Sequence, residues 1–400
     1  MSGHRPEVAD VFRSYGAAYL RVYRVSTSAA QRRVLRELSL CRTAALGGHK
    51  YRCDRCGHER IAYNSCRNRH CPKCQAAARA EWLAARQQEL LAVPYFHVVF
   101  TLPDGLGPLA LQNQRLLYGL LFRAASETLL CIARDPQHLG ARIGFLLVLH
   151  TWGQNLHHHP HVHGVVPGGG LSPDATQWVA GRENFFLSVR VLSRLFRGKF
   201  LHSLQQAFDR GQLHFHGQLE ALAQASCWER WLKQLRAKDW VVYAKPPFGG
   251  PEQVLKYLAR YTHRVALSNQ RLLSLDEGQV TLLWKDRAHG NRPRTLRLDA
   301  VEFIRRFLLH VLPKGFVRIR YYGFLSHSQR KQKLAAIAAL LRDSSPVEHT
   351  ASDAPSEQSL PSNEDDGERC PHCQRGLMRR VETIPRSPPA GFEPWWADTS

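Results

Sequence analysis

The chain is short of acid. Asp and Glu number 33 against 55 Lys and Arg, giving a formal net charge of +22 and a pI near 10.0. That imbalance favours a polyanionic partner, because each phosphate neutralised by Lys or Arg releases condensed counterions. No amino-terminal stretch joins basic residues to a long apolar run, so no secretory signal is expected. The longest apolar run, near Ile143–Leu149, is too short to cross a bilayer. The expectation is therefore a soluble, cytoplasmic protein with no membrane partner. Internal repeats are lacking too. Residues 343–368 contain no Lys or Arg but eight acids, among Ser and Pro, so the rest of the chain is more basic still. Such a composition cannot support a core and reads as a disordered linker.

What is present is a globular chain of 400 residues with 44% hydrophobic content, long enough for more than one domain. Helical spacing of Val8, Val11, Phe12, Tyr15 and Tyr19 predicts an amino-terminal helix. A helix is predicted at roughly 76–92, and Tyr95–Leu102 reads as a buried strand. Helices are expected over about 108–133 and 190–237. Phe145–Trp152 and His161–Pro167 should pair as an antiparallel hairpin with a long connection. Trp240–Ala244, 279–285 and 316–322 read as further strands, 252–265 as a helix and Ala300–Leu312 as another. Strands mixed with helices, including an antiparallel hairpin, predict an α+β fold. The division expected is 1–92 as a helical and zinc-binding DNA-recognition domain, 93–342 as the catalytic domain, and 343–400 as acidic linker and tail.

Ten cysteines, several as CxxC pairs, in a chain of intracellular character argue for metal rather than disulfides. Cys53-x-x-Cys56 and Cys71-x-x-Cys74 are two knuckles fourteen residues apart, close to four-cysteine zinc spacing. Cys53, Cys56, Cys71 and Cys74 are the predicted ligands, and zinc worth ~10–16 kcal/mol of apparent binding would hold so small a module together. Cys66, near His70, either replaces one ligand or sits buried. Cys370-Pro-His-Cys373 is half a site, and metal there needs Cys or His from elsewhere. Lys50, Arg52, Arg55, Arg60, Arg67, Arg69 and Lys73, interleaved with Tyr51 and Tyr63, suit contacts to phosphates and bases.

The segment His157-His158-His159-Pro160-His161-Val162-His163-Gly164 carries the sharpest pattern. His161 and His163 flank one apolar residue on a predicted strand, so their imidazoles share a face. Neutral imidazoles can hold a divalent ion that polarises a phosphate oxygen. Two histidines rarely complete a site, and His150 on the predicted partner strand is the preferred third ligand. Gln154 and His159 are the alternatives. Tyr257 and Tyr261, in EQVLKYLARYTHRVAL, lie four apart on one helical face. A phenol is mostly protonated at neutral pH and needs a metal or cation beside it to act as a nucleophile. Lys256, Arg260, His263 and Arg264 supply local positive charge.

With SCRNRHCPKCQ, HPHVHGVVPGGGL and YLARYTHRVALSN in this order, the chain resembles the two-tyrosine HUH transposases of rolling-circle insertion sequences, the IS-ninety-one family. The likeness runs from about Cys41 to Leu334. It implies an HUH endonuclease core (a central antiparallel sheet flanked by helices) preceded by a zinc-ribbon-like DNA-binding module. It further implies His161 and His163 as metal ligands, Tyr257 and Tyr261 as nucleophiles, and magnesium or manganese for the cut. Single-stranded ends of a mobile element would be the partner, in a bacterial nucleoid. A plasmid replication initiator or relaxase uses the same chemistry. A non-catalytic zinc-dependent DNA-binding regulator would explain charge and cysteines but leave the histidine and tyrosine patterns as coincidence.

Overall fold

A computed structural model describes residues 5–87, 89–182, 187–245, 266–286, 290, 292–326, 330–343 and 368–387. The chain opens with α1 (Val8–Tyr23) and α2 (Ala29–Ser39). Ser28 starts α2 with a capping box: its Oγ accepts from the Gln31 amide at 3.2 Å, and Gln31 Oε1 accepts from the Ser28 amide at 2.8 Å. Two short strands that the hydrophobic pattern does not reveal follow, β1 (Gly48–Cys53) and β2 (Glu59–Tyr63), paired antiparallel around the Cys53–Cys56 turn. Next comes α3 (Pro72–Gln87), with proline at its first position, where no amide hydrogen is needed.

The central sheet begins with β3 (Tyr95–Thr101). Helices α4 (Gly107–Gln112) and α5 (Gln114–Arg134) intervene before β4 (Gly144–Trp152) and β5 (His158–Pro167). β5 ends directly before the glycine run, which goes on into β6 (Gly169–Leu171), paired with β7 (Trp178–Ala180). After α6 (Val189–Asp209) and α7 (Ala225–Ala237), β8 (Val242–Lys245) returns to the sheet edge. The carboxyl-terminal part supplies β9 (Leu272–Asp276), β10 (Gln279–Asp286) and β11 (Arg292–Asp299) as a separate antiparallel sheet. It continues with α8 (Ala300–Leu308), β12 (Ile319–Gly323), α9 (Arg330–Asp343) and, far along the chain, β13 (Met378–Ile384).

Among the described residues the central sheet has the order β12-β4-β5-β3-β8, every pair antiparallel. This is the α+β architecture expected, a central antiparallel sheet flanked by helices. Strands β3 and β4 read as nearly continuous apolar runs because both faces are covered. Phe96, Val98, Phe100, Leu147, Leu149 and Val162 pack under α5, α6 and α7. Helix α5 is long and apolar enough by composition to cross a membrane, but most of it is buried in this cluster. On the opposite face Leu146, Val148 and Val165 pack with Leu334 and Ile337 of α9, at one end of the strands only. A third cluster joins α1 and α2 to α8 and to β9–β11, with Phe12 edge-on to Phe307 at 5.2 Å. The chain's first helices thus close on residues nearly three hundred positions away.

The histidine face and two cysteine clusters

The half-covered face of the central sheet is where the chemistry gathers. On β5, alternation sends Val162 into the core while His161 and His163 point to the other side. Gly164 takes the next core position; a Cβ there would already stand 3.0 Å from the Leu147 side chain, so the strands fit closely at that point. His150 on β4 is the direct antiparallel partner of His161, and directly opposed residues share a face. One ligand atom from each of His150, His161 and His163 lies within 4.8 Å of the others. His150 and His163 are 4% and 6% exposed, whereas His161 is only half-buried, so the cluster opens on one side. His159, on the same strand, is not part of this three-histidine group.

Hydrogen bonds aim these rings. His161 Nδ1 lies 2.7 Å from the carbonyl of His159, so Nδ1–H donates there and the lone pair falls on Nε2. His163 Nδ1 lies 2.9 Å from Nε2 of His97, and the two rings stack at 5.1 Å. His97 is 3% exposed on β3. Such an outer partner fixes the tautomer and angle of a ligating imidazole. His150 stacks on Trp152 at 4.4 Å across a bulge in β4. Behind the cluster, Tyr118 of α5 bonds His158 at 2.9 Å, and His310 bonds Thr151 Oγ1 at 3.2 Å. Burial pushes the His158 imidazole down to about 4, with His159 adding repulsion, and His310 down to about 3. Both are neutral structural groups at physiological pH.

Eight of the ten cysteines fall into two sets of four. Cys41, Cys66, Cys71 and Cys74 form one, with sulfur separations of 3.8 Å (Cys41–Cys74), 3.7 Å (Cys66–Cys74) and 3.6 Å (Cys41–Cys71). Cys53 and Cys56 stand with Cys370 and Cys373 in the other. This corrects the single-site grouping expected of Cys53, Cys56, Cys71 and Cys74: the two knuckles serve different clusters. The physical reason is direction. Cys53 and Cys56 cap the β1–β2 turn, whereas Cys71 and Cys74 open α3 and face the end of α2, where Cys41 lies.

Two family models match: one described as a transposase zinc-binding domain over residues 11–102, and one described as "Putative transposase" over residues 144–333. A curated relative from Sinorhizobium fredii, "Putative transposase y4qJ", is 57% identical over 391 residues, covering 96% of each chain. The transposase for insertion sequence element IS801, from Pseudomonas savastanoi pv. phaseolicola, is 30% identical over 312 residues, 76% of this chain and 73% of its own. The chain belongs to the IS-ninety-one family of transposases. No solved structure matches it.

Mapped onto the transposase, the zinc-binding domain contains Cys41, Cys53, Cys56, Cys66, Cys71 and Cys74, while Cys370 and Cys373 lie outside both matched stretches. Tyr257 and Tyr261 fall outside the described residues. His97 and Cys41 are the site residues that sequence reasoning missed. A histidine in an otherwise apolar buried strand was the available signal for the first. For the second it was parity: setting aside the helical Cys131 and Cys227, eight cysteines remain, enough for two four-sulfur sites. The expected basic face of the zinc module is also thinner than its sequence suggests. Lys50 and Arg52 both bind Glu59, Lys73 binds Glu7, Arg60 binds Glu368, and Arg69 donates to the Phe316 carbonyl.

Proposed function

We propose that this transposase nicks and rejoins single-stranded DNA at the ends of its element through a 5′-phosphotyrosine, in a rolling-circle mode of transposition. The observation that carries the reading is the convergence of His150, His161 and His163 on the open part of a sheet face whose other side is sealed by helices. A divalent ion held by those imidazoles would polarise a phosphate oxygen and stabilise the charge of the transition state. Three nitrogen donors fit manganese better than magnesium, which prefers oxygen ligands. His97 would keep His163 in register with that ion, and the His159 carbonyl would do the same for His161. The first cysteine set, Cys41, Cys66, Cys71 and Cys74, would hold the structural zinc of the matched domain.

In the cutting step a tyrosine oxygen attacks the scissile phosphorus and gives up its proton. The bond to the 3′ oxygen breaks, and that oxygen takes up a proton to leave as a free hydroxyl. The phosphodiester is conserved as a tyrosine ester, so a 3′-hydroxyl can later reverse the step without ATP. Tyr257 and Tyr261 are the nucleophiles in this reading, and two phenols could accept two strand ends in turn. The placement of the flanking chain supports it. Lys245 pairs in register with His97, the partner of His163. Ala266 packs in the cluster that contains Leu156 of the β4–β5 connection.

The deciding experiment is a denaturing-gel search for a covalent adduct with labelled single-stranded oligonucleotides from the element's ends. A manganese-dependent adduct, lost when Tyr257→Phe and Tyr261→Phe are combined, is the expected result. An adduct that survives the double substitution would remove these tyrosines from the mechanism. DNA binding that needs no metal, with no adduct at all, would leave a non-catalytic binder.

A further inference from the structure

We infer that Cys53, Cys56, Cys370 and Cys373 form a second zinc site, which fastens a carboxyl-terminal hairpin to the amino-terminal module. The two halves lie more than three hundred residues apart, and neither family match reaches the second half. Cys53 Sγ stands 3.7 Å from Cys373 Sγ, and Cys56 Sγ stands 3.7 Å from Cys370 Sγ. Four sulfurs held tetrahedrally at about 2.3 Å from zinc are about 3.8 Å apart, whereas a disulfide needs about 2.05 Å. The spacing fits one and excludes the other. It also matches the spacing inside the first cysteine cluster, where the zinc-binding family is shown.

Both halves are built as metal knuckles. Backbone amides of Arg55 and Cys56 approach Cys53 Sγ at 3.5 Å each, and that of Gly376 approaches Cys373 Sγ at 3.3 Å. Gly57 and Gln374 turn the two loops at φ +71° and +57°. Gly376 must be glycine: a Cβ there would collide with Cys53 Sγ and stand 2.7 Å from Asp54 Oδ1. The hairpin then closes on the module. Leu377 and Asp54 exchange hydrogen bonds of 2.9 and 3.1 Å, and β13 pairs with β1 from Cys53–Met378 to Gly48–Ile384. His58 stacks on His372 at 5.3 Å, and Arg60 donates to Glu368 at 2.9 Å.

Burial alone cannot hold this arrangement. The apolar cluster beneath it is Cys53, Cys370 and Met378 with Tyr51 and Cys373 at its rim, and most of β13 is exposed. So small a core needs a staple, and metal binding supplies one.

The test counts metal in the full-length protein after exchange against a weak chelator. Two zinc ions per chain are expected, falling to one in the double variant Cys370→Ser/Cys373→Ser. One zinc in the unaltered chain, or two in the variant, would overturn the proposal. A second test uses native cysteines throughout, with a protease site placed within residues 344–367. After cutting, the tail fragment should co-elute with the body on gel filtration and be released by a strong chelator. Release without chelator, or retention after zinc has been stripped, would refute the staple.

Discussion

The two cysteine clusters have nearly the same sulfur spacing but opposite surroundings. Cys41 and Cys71 are buried in a large apolar cluster with Phe12, Leu35 and Phe303, and all four ligands of that set lie between positions 41 and 74. From its rim Arg69 reaches the Phe316 carbonyl at 2.9 Å, and Arg318 reaches Gln75 at 2.8 Å, tying the module to the chain that leads into the central sheet. The Cys53 cluster instead sits at the periphery on a core of a few residues. A metal in the first would hold together a junction that burial already favours. In the second it would supply most of what keeps the hairpin in place. Loop-closure entropy grows only slowly with loop length, so the long separation is no obstacle once the body has folded and presents Cys53 and Cys56.

This contrast is open to direct attack. The largest effect on stability is expected from Cys71→Ser. Loss of zinc there should destabilise the junction by several kcal/mol, bounded by the ~10–16 kcal/mol of apparent structural zinc binding, and weaken DNA binding. A melting curve like that of the unaltered chain would show that the apolar cluster suffices. His161→Ala should lower metal-dependent cleavage by about a hundredfold or more while zinc content and melting stay unchanged. Undiminished cutting would put the catalytic ion elsewhere. His97→Ala should act more gently, weakening manganese activation by ~10–100-fold, and a titration of rate against manganese would resolve it.

Acid offers another probe. The depressed His158 and His310 imidazoles mean that the unfolded chain takes up protons first. Their effect is absent above about pH 6.5, and stability then falls toward pH 4 by ~1.4 kcal/mol per pH unit for each group. Denaturant midpoints from pH 7.5 to 4.5 should show that slope, and His310→Asn should flatten it. The smallest shift belongs to Cys370→Ser: the main melting transition should barely move while the tail becomes sensitive to protease. A large drop in that transition would make the hairpin part of the body's core.

The strands were legible where they carry long apolar runs. Tyr95–Thr101 and Gly144–Trp152 lie within a residue or so of expectation because burial on both faces demands unbroken hydrophobicity. The ribbon strands β1, β2 and β13 were not, since GHKYRC, ERIAY and MRRVETI hold few apolar residues and pair across an exposed sheet. The His150–His161–His163 cluster follows from strand alternation plus a single register, both readable once a hairpin is assumed. His97 needed a third strand to arrive from sixty residues upstream.

By itself the sequence determined the ligand chemistry: imidazoles on one strand face, thiolates in paired knuckles, a basic chain with an acidic stretch near its end. Those follow from side-chain type and local period, which short-range geometry enforces. Only the tertiary structure decided which cysteines each knuckle met. CxxC spacing orients two sulfurs toward a common point, but it carries no information about the partner pair. That choice was made by the end of α2 meeting the start of α3, and by β13 finding the edge of β1.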